Sequence, residues 1–130
     1  MLLDTSGLLC LVNNLEVFHA EALSLYRSAA KRLTHSYIAA EFVALADARR
    51  INRKDALAFA GRLLTDPTIQ FVWVDDSLHQ EGMALLHSRL DKTYSLCDAV
   101  SFVLMRKLSV SEALTNDHHF EQEGFVRLLV

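Results

Sequence analysis

The chain is short of the residues that break or cross-link a fold. One proline and four glycines in 130 residues exclude collagen-like and low-complexity architectures. Two cysteines, Cys10 and Cys97, are too few for a disulfide framework, so reduced thiols and a cytoplasmic setting are expected. No apolar run approaches the roughly 18 residues of a membrane helix, and no membrane contact is expected. The opening MLLDTSGLLCLV has no Lys or Arg and carries an acid at its fourth residue. It lacks the basic leader region of a secretion signal. Charge blocks, internal repeats and linkers are absent as well. What is present is apolar: 52% hydrophobic against 22% charged residues, which excludes a disordered chain. The length suits a single domain over 1–130, able to bury roughly two-thirds of its unfolded surface. A net charge of −3 gives no global pull on nucleic acid, though a local basic face remains open. The high apolar fraction suggests an interface with a second chain.

Short apolar runs alternate with helical periodicities, the pattern of a parallel sheet covered by helices. Met1–Asp4 reads as a strand, followed by the turn-prone Thr5-Ser6-Gly7. From Asn14, a possible N-cap, Leu15, Phe18, Ala22, Leu25 and Ala29 mark an amphipathic helix. A brief strand at Leu33–His35 precedes a helix capped by Ser36 and reaching about Arg49. Asn52 and Asp55 have capping-box spacing and open a third helix, which stops at Thr65-Asp66-Pro67-Thr68. Ile69–Val74 is rich in β-branched and aromatic residues and reads as a strand, with Trp73 in the core. Ser77 with Gln80, and then Ser95, open helices reaching about Leu90 and Leu108. Ala113–Thr115 and Phe125–Val130 read as strands, the last at the sheet edge. Open sheets of this kind place ligands beyond the carboxyl ends of their strands.

The informative residues are acids standing where apolar residues are expected. Asp4 follows the first strand, and Asp117 follows the strand Ala113–Thr115. Either alone reads as well as a turn residue. Glu41 lies about 60° from Ile38, beside the apolar arc of Ile38, Phe42 and Leu45. An ion pair with Arg or Lys would account for it equally well. Asp98 opens a helix that is apolar almost all round, on a stripe with Phe102 and Met105. It also stands three residues after Ser95, as a capping box requires. Taken together, the four could converge at one end of one sheet. Four carboxylates in a small volume cannot all stay ionised without cations. Hard oxygen ligands select Mg²⁺ or Mn²⁺. Such ions held by shared carboxylates are a common device for cutting phosphodiesters.

At these residues the sequence resembles the PIN-domain family, of the kind that serves as VapC toxins of bacterial toxin–antitoxin pairs. Asp4-Thr5-Ser6 after a short apolar strand resembles the opening Asp-Thr/Ser-Ser motif. Ala40-Glu41-Phe42 resembles the helical Glu motif. Ser95-Leu-Cys-Asp98-Ala-Val-Ser-Phe102 resembles the Asp-plus-Ala helix, and Thr115-Asn-Asp117-His-His-Phe120 the Thr-x-Asp-x-x-Phe motif. The set runs in order along nearly the whole chain. The resemblance implies an α/β fold, a three-layer α/β/α sandwich with a five-stranded parallel sheet in the order 3-2-1-4-5. It implies metal-dependent cleavage of single-stranded RNA, with one or two Mg²⁺ or Mn²⁺ ions as cofactor. It also implies a homodimer and a small antitoxin protein as partner. By the same resemblance Asp4, Glu41, Asp98 and Asp117 would be catalytic metal ligands. Thr5, Ser6 and Thr115 would offer supporting hydroxyls. The lead-in to Asp4 is short, only three residues.

Other features carry less. His118-His119 lack zinc-motif spacing and read as loop residues close to the site, able at most to touch RNA. Cys97 reads as a small buried apolar residue rather than a nucleophile. Arg49, Arg50, Arg53 and Lys54 cluster at a helix junction; a solvated face explains them, and RNA phosphate contacts by Arg49, Arg50 and Arg53 are the functional alternative. Arg106 and Lys107 suit a helix C-terminus. No phosphate-binding glycine loop is present. A phosphoacceptor signalling domain would also gather acids at strand ends, but it needs a Lys after its last strand, where this chain has Arg-Leu-Leu-Val. A catalytically silent PIN-fold binding or scaffold protein is the remaining alternative, its acids serving as caps and ion-pair partners.

Overall fold

The computed structural model describes all residues 1–130. Five strands form one parallel sheet: β1 (Leu2–Leu3), β2 (Arg32–His35), β3 (Ile69–Val72), β4 (Glu112–Leu114) and β5 (Val126–Arg127), in the order β3-β2-β1-β4-β5. Helices α1 (Thr5–Val12) and α2 (His19–Ser28) join β1 to β2, and α3 (Ser36–Ala48) and α4 (Arg53–Thr65) join β2 to β3. Helices α5 (Asp76–His87) and α6 (Leu96–Lys107) carry the chain back to β4, and the short α7 (His119–Gln122) leads to β5. Parallel crossovers are right-handed. Steps from β1 toward β3 therefore put α1–α4 on one face. The return past β1 puts α5 and α6 on the other, giving three layers. The strand order reverses between β1 and β4, which opens a crevice at their carboxyl ends. No helix is long and apolar enough to cross a membrane.

The centre of the sheet is short but fully buried. Leu2, Leu3, Ala113 and Leu114 have no exposed surface, and Ile38, Phe42, Val100, Phe102 and Phe120 close the core from the helices. Strands buried on both faces read as unbroken apolar runs, which is why β1 and β4 are legible in two or three residues.

Several elements start elsewhere than the sequence suggests. Thr5-Ser6-Gly7 is no turn but the first turn of α1, with Asp4 extended before it and Leu8 N donating to Asp4 O at 2.9 Å. Gly7 is there for proximity: a Cβ would stand 2.0 Å from the Leu114 carbonyl oxygen. Gly7→Ala is therefore expected to cost about 3 kcal/mol, the upper range for overpacking, because the obstacle is sheet backbone. Gly82→Ala is expected to cost less, since the nearest atom to its Cβ would be the Val100 methyl at 2.8 Å, with Leu96 Cδ1 and Val100 N at ordinary contact distance. Urea unfolding midpoints of the two variants check the order; a larger loss at Gly82 would contradict it.

The helix expected from Asn14 begins only at His19. Asn13 Oδ1 accepts from Leu15 N at 3.1 Å in a side-chain turn, and Leu15 is exposed rather than buried. The cap of α3 is His35 and not Ser36: His35 Nδ1 accepts from Ile38 N at 3.3 Å, while Ser36 Oγ accepts from Val74 N at 2.9 Å and ties the segment after β3 to the start of α3. Asp75, not Ser77, caps α5, accepting from Leu78 N at 2.8 Å, and α5 stops at His87, short of Leu90. The strand β3 ends at Val72, so Trp73, beyond the end of an edge strand, is 69% exposed.

Candidate active site

The four acids meet in one cleft at the β1/β4 crevice. Its volume is about 310 Å³, and its lining includes Asp4, Glu41, Asp98 and Asp117 with Thr5, Ser6 and Arg49. Asp4 is placed by the sheet: its N–H donates to Leu114 O at 3.3 Å, which holds the residue at the β1 end beside β4. Its carboxylate is almost wholly buried. Asp98 is held by the capping box of α6, where Asp98 N donates to Ser95 Oγ and Ser95 N to Asp98 Oδ2, each at 3.0 Å. The cap and the site acid are one residue. Glu41 stands on α3 next to the buried Phe42 and is itself half-buried. Asp117 follows β4 in a loop closed by its own Oδ1, which accepts from His119 N at 2.9 Å.

A chain of hydroxyls fixes Asp4. Asn116 N–H donates to Ser6 Oγ at 3.0 Å. Thr115 Oγ1 gives its single proton to Asp4 Oδ2 at 2.7 Å. The 3.1 Å bond between Ser6 Oγ and Thr115 Oγ1 must then be donated by Ser6 when Asp4 is ionised. Asp117 N–H also donates to Thr115 Oγ1 at 3.0 Å. Ser6 and Thr115 thus bind the first strand's end to the fourth's and aim one carboxylate. Thr5 Oγ1 is buried and has no protein partner.

The electrostatics are those of crowded, uncompensated acids. Burial pushes the Asp4 carboxyl up to about 7, with smaller upward pushes from Asp98 and Glu41 outweighed in part by the Thr115 hydrogen bond. Asp98 is also raised, mainly by burial, with Asp117 adding to it. Burial and the charges of Glu41, Asp4 and Asp98 hold the Cys97 thiol protonated, which removes it as a nucleophile. Elsewhere in the fold a buried acid looks different. Glu123 pairs with Arg89 at 2.7 Å and with Arg106, and these partners keep its carboxyl low. No Lys or Arg pairs with any of the four cleft acids.

Of the basic cluster, only Arg49 lines the cleft. Its guanidinium is held by Glu16 at 2.6 Å. Arg50 lines the neighbouring hollow with Asn13 and Asn52 and has a left-handed φ of 59°. Arg53 points away, 3.7 Å from Asp47, and both are exposed. Sequence reasoning did not single out Glu16, and it placed His119 close to the site without identifying its partner. His119 Nδ1 lies 3.3 Å from Asp98 Oδ2, a contact between α7 and α6 that no local spacing announces.

The sheet order, the crevice at its reversal and the acids gathered there define a class of fold and site. A PIN-domain match runs over residues 1–125, and the chain belongs to the PIN-domain family. Among known proteins it is 30% identical over 126 residues to the "23S rRNA-specific endonuclease VapC20" of Mycobacterium tuberculosis, in strains CDC 1551 / Oshkosh and ATCC 25618 / H37Rv. The match covers 96% of this chain and 95% of that protein. The crystal structure of Mycobacterium tuberculosis VapC20, described as a sarcin-ricin loop cleaving toxin, superposes with a TM-score of 0.88 at 27% identity. That superposition spans 96% of this chain and 95% of VapC20.

Proposed function

We propose that the chain, acting as one PIN unit over 1–130, is a divalent-cation-dependent endoribonuclease and the toxin of a toxin–antitoxin pair. The observation that carries this reading is the convergence of Asp4, Glu41, Asp98 and Asp117 in one cleft with no Lys or Arg paired to them. A scaffold would pair such acids with Arg or Lys, as this fold does Glu123. The donor set is all oxygen, which suits Mg²⁺ or Mn²⁺, and the unpartnered Thr5 hydroxyl beside it fits the same group. The four carboxylates would hold the cation.

When bound, the cation supplies an acidified water and neutralises charge on the leaving oxygen of the phosphodiester. The protein does the rest. The Asn116–Ser6–Thr115 chain of hydrogen bonds holds Asp4 in one orientation. The Ser95 cap does the same for Asp98. Arg49 is poised to meet the substrate phosphate at the rim, on exchange of its Glu16 partner. Arg49→Ala is expected to weaken RNA binding similarly for all sequences and to lower the salt slope by about 0.7–1. Arg53→Ala, remote from the cleft, leaves both unchanged. Filter binding across a salt series checks this pair.

The relatives' printed substrate makes a structured ribosomal RNA loop the first substrate to test here, with a homodimer and a small antitoxin as the partners this reading brings. The experiment incubates purified protein with 23S rRNA and with sarcin-ricin loop oligonucleotides in Mg²⁺, Mn²⁺ or chelator, beside Asp98→Asn. Discrete cuts that need the cation and vanish in the variant support the reading. A folded, partner-free protein that cuts nothing under any condition returns the chain to the scaffold alternative.

A further inference from the structure

His118 and His119 follow Asp117 directly, at the start of α7. The cleavage chemistry above uses neither. In the fold, His119 Nδ1 lies 3.3 Å from Asp98 Oδ2 and 3.4 Å from Asp117 Oδ1. His118 Nδ1 lies 3.7 Å from the same Asp117 oxygen. The donor atoms of Asp117, His118 and His119 all fall within 4.8 Å of one another. Two ligands bound at about 2.0–2.1 Å to a tetrahedral ion stand about 3.4 Å apart. The separations of 3.3, 3.4 and 3.7 Å seen here are close to that edge length, the widest at His118.

The surroundings support ligation. Metal-bound imidazoles characteristically have the second ring nitrogen hydrogen-bonded. His119 Nε2 is 3.2 Å from Thr93 Oγ1, and its ring packs edge-on against Tyr94. Asp98 Oδ2 is already fixed by Ser95 N–H, and Asp117 Oδ1 by His119 N–H. The exposed ring of His118 is free to close the last edge. Two imidazoles with two carboxylates make a mixed nitrogen–oxygen set. That set favours Zn²⁺, Co²⁺ or Ni²⁺, whereas Mg²⁺ takes oxygen ligands alone.

We propose that Asp98, Asp117, His118 and His119 form a second cation site, selective for a first-row transition metal such as Zn²⁺, beside the all-carboxylate cleft. It goes beyond the nuclease reading, and its existence requires no RNA cleavage. The two sites share Asp98 and Asp117. An ion held on their imidazole-facing oxygens draws charge from both acids and loosens the grip of the cleft on Mg²⁺. Zn²⁺ thereby opposes whatever the cleft does with Mg²⁺.

The test uses the purified full chain with Co²⁺ as a spectroscopic probe and Zn²⁺ titrated calorimetrically in excess Mg²⁺. Tetrahedral nitrogen–oxygen Co²⁺ gives strong visible bands; octahedral, all-oxygen Co²⁺ gives weak ones. The expected result is strong bands in the wild type, bleached by Zn²⁺. His118→Ala and His119→Gln should each weaken Zn²⁺ binding by about tenfold or more. Asp4→Asn, outside this donor set, should retain it. Because the His118 side chain is 64% exposed, its replacement leaves packing untouched, and circular dichroism checks the His119 variant. Unchanged Zn²⁺ affinity in both histidine variants, weak octahedral bands in the wild type, or loss of the site in Asp4→Asn overturns the proposal. Absence of RNA cleavage touches only the nuclease reading, because none of these readouts involves RNA.

Discussion

Asp4→Asn is expected to abolish cleavage and, in the same protein, to raise the stability of the chelator-treated form at pH 8. The first effect follows from the proposed role of Asp4, which lines the cleft, as a cation ligand. Loss of a cation ligand removes several kcal/mol of transition-state stabilisation, so a fall of at least about a hundredfold in rate is expected. The second effect follows from burial. The carboxyl is almost wholly buried and pushed up to about 7, so at pH 8 the folded chain holds a charge that the unfolded chain would keep in water. Asn has the same shape and still accepts from Thr115, but carries no charge. Three pH units between the unfolded 3.8 and the folded value near 7 set an upper bound of about 4 kcal/mol on the gain. The sign can be checked by pH. A raised carboxyl contributes stability that is complete below the unfolded value and lost as pH rises through the folded one. The variant should therefore lead at pH 8 and match the wild type near pH 4. Melting curves in chelator at the two pH values decide it. A variant that melts lower than wild type at pH 8 would show that Asp4 is stabilising as a charge, and would contradict the picture of an uncompensated acid.

Much of this site is legible in the sequence because the acids stand in apolar surroundings whose periodicity is strong. Asp4 and Asp117 follow short apolar runs, and these runs are the buried β1 and β4. Asp98 is legible twice over, as a cap and as an acid on an otherwise apolar helix, and the capping box of α6 forms as its spacing suggests. The strand order is another matter. It came with the family resemblance, since alternation of elements fixes parallel strands but not which are neighbours. What the pattern misses is competition between equivalent local solutions. Thr5, Ser6 and Gly7 are turn formers by type, yet helix α1 begins there because Gly7 must pass the Leu114 carbonyl. Leu15 keeps the helical rhythm of Leu25 and Ala22 but sits in a turn made by the Asn13 side chain. His35 takes the cap that Ser36 is equally able to provide, because the Ser36 hydroxyl is claimed by Val74, just beyond β3. In each case the deciding partner lies far along the chain, out of reach of any window. The same holds for Glu16 on Arg49 and for His119 on Asp98.

The pH response of the whole chain should then be set by buried groups of opposite sign, His35 against Asp4 and Asp98. His35 is fully buried, and burial pushes its imidazole down to about 3. Its Nε2 faces Ser101 Oγ at 2.8 Å, and that hydroxyl donates to Cys97 O at 3.0 Å, so Nε2 carries the proton and Nδ1 accepts from Ile38 N–H. The ring is a neutral cap with no room for a second proton. A depressed imidazole contributes stability that is complete above its unfolded value near 6.5 and lost as pH falls toward the folded value. Asp4 does the reverse between about 7 and 3.8, and Asp98, raised by burial, acts with Asp4. From pH 6.5 to 4 the His35 loss amounts to about 3 kcal/mol and the Asp4 gain is of the same size, with Asp98 adding to the gain, so the wild-type stability in chelator should not fall over that interval. Asp4→Asn removes the Asp4 gain: relative to the wild type, its stability should fall by about 3 kcal/mol over that interval, measured by urea unfolding at successive pH values. A variant that tracks the wild type would mean that burial does not raise the Asp4 carboxyl. Cation binding completes the linkage. On the proposed function, a divalent ion held by Asp4 displaces its proton below about pH 7, so its affinity should fall about tenfold per pH unit there, with one proton released per ion. Calorimetry in buffers of different ionisation enthalpy counts that proton. An Mg²⁺ affinity that is constant from pH 8 to pH 5.5 would place the ion away from Asp4, and would leave the buried carboxylate without the counter-charge that the cleft is built to receive.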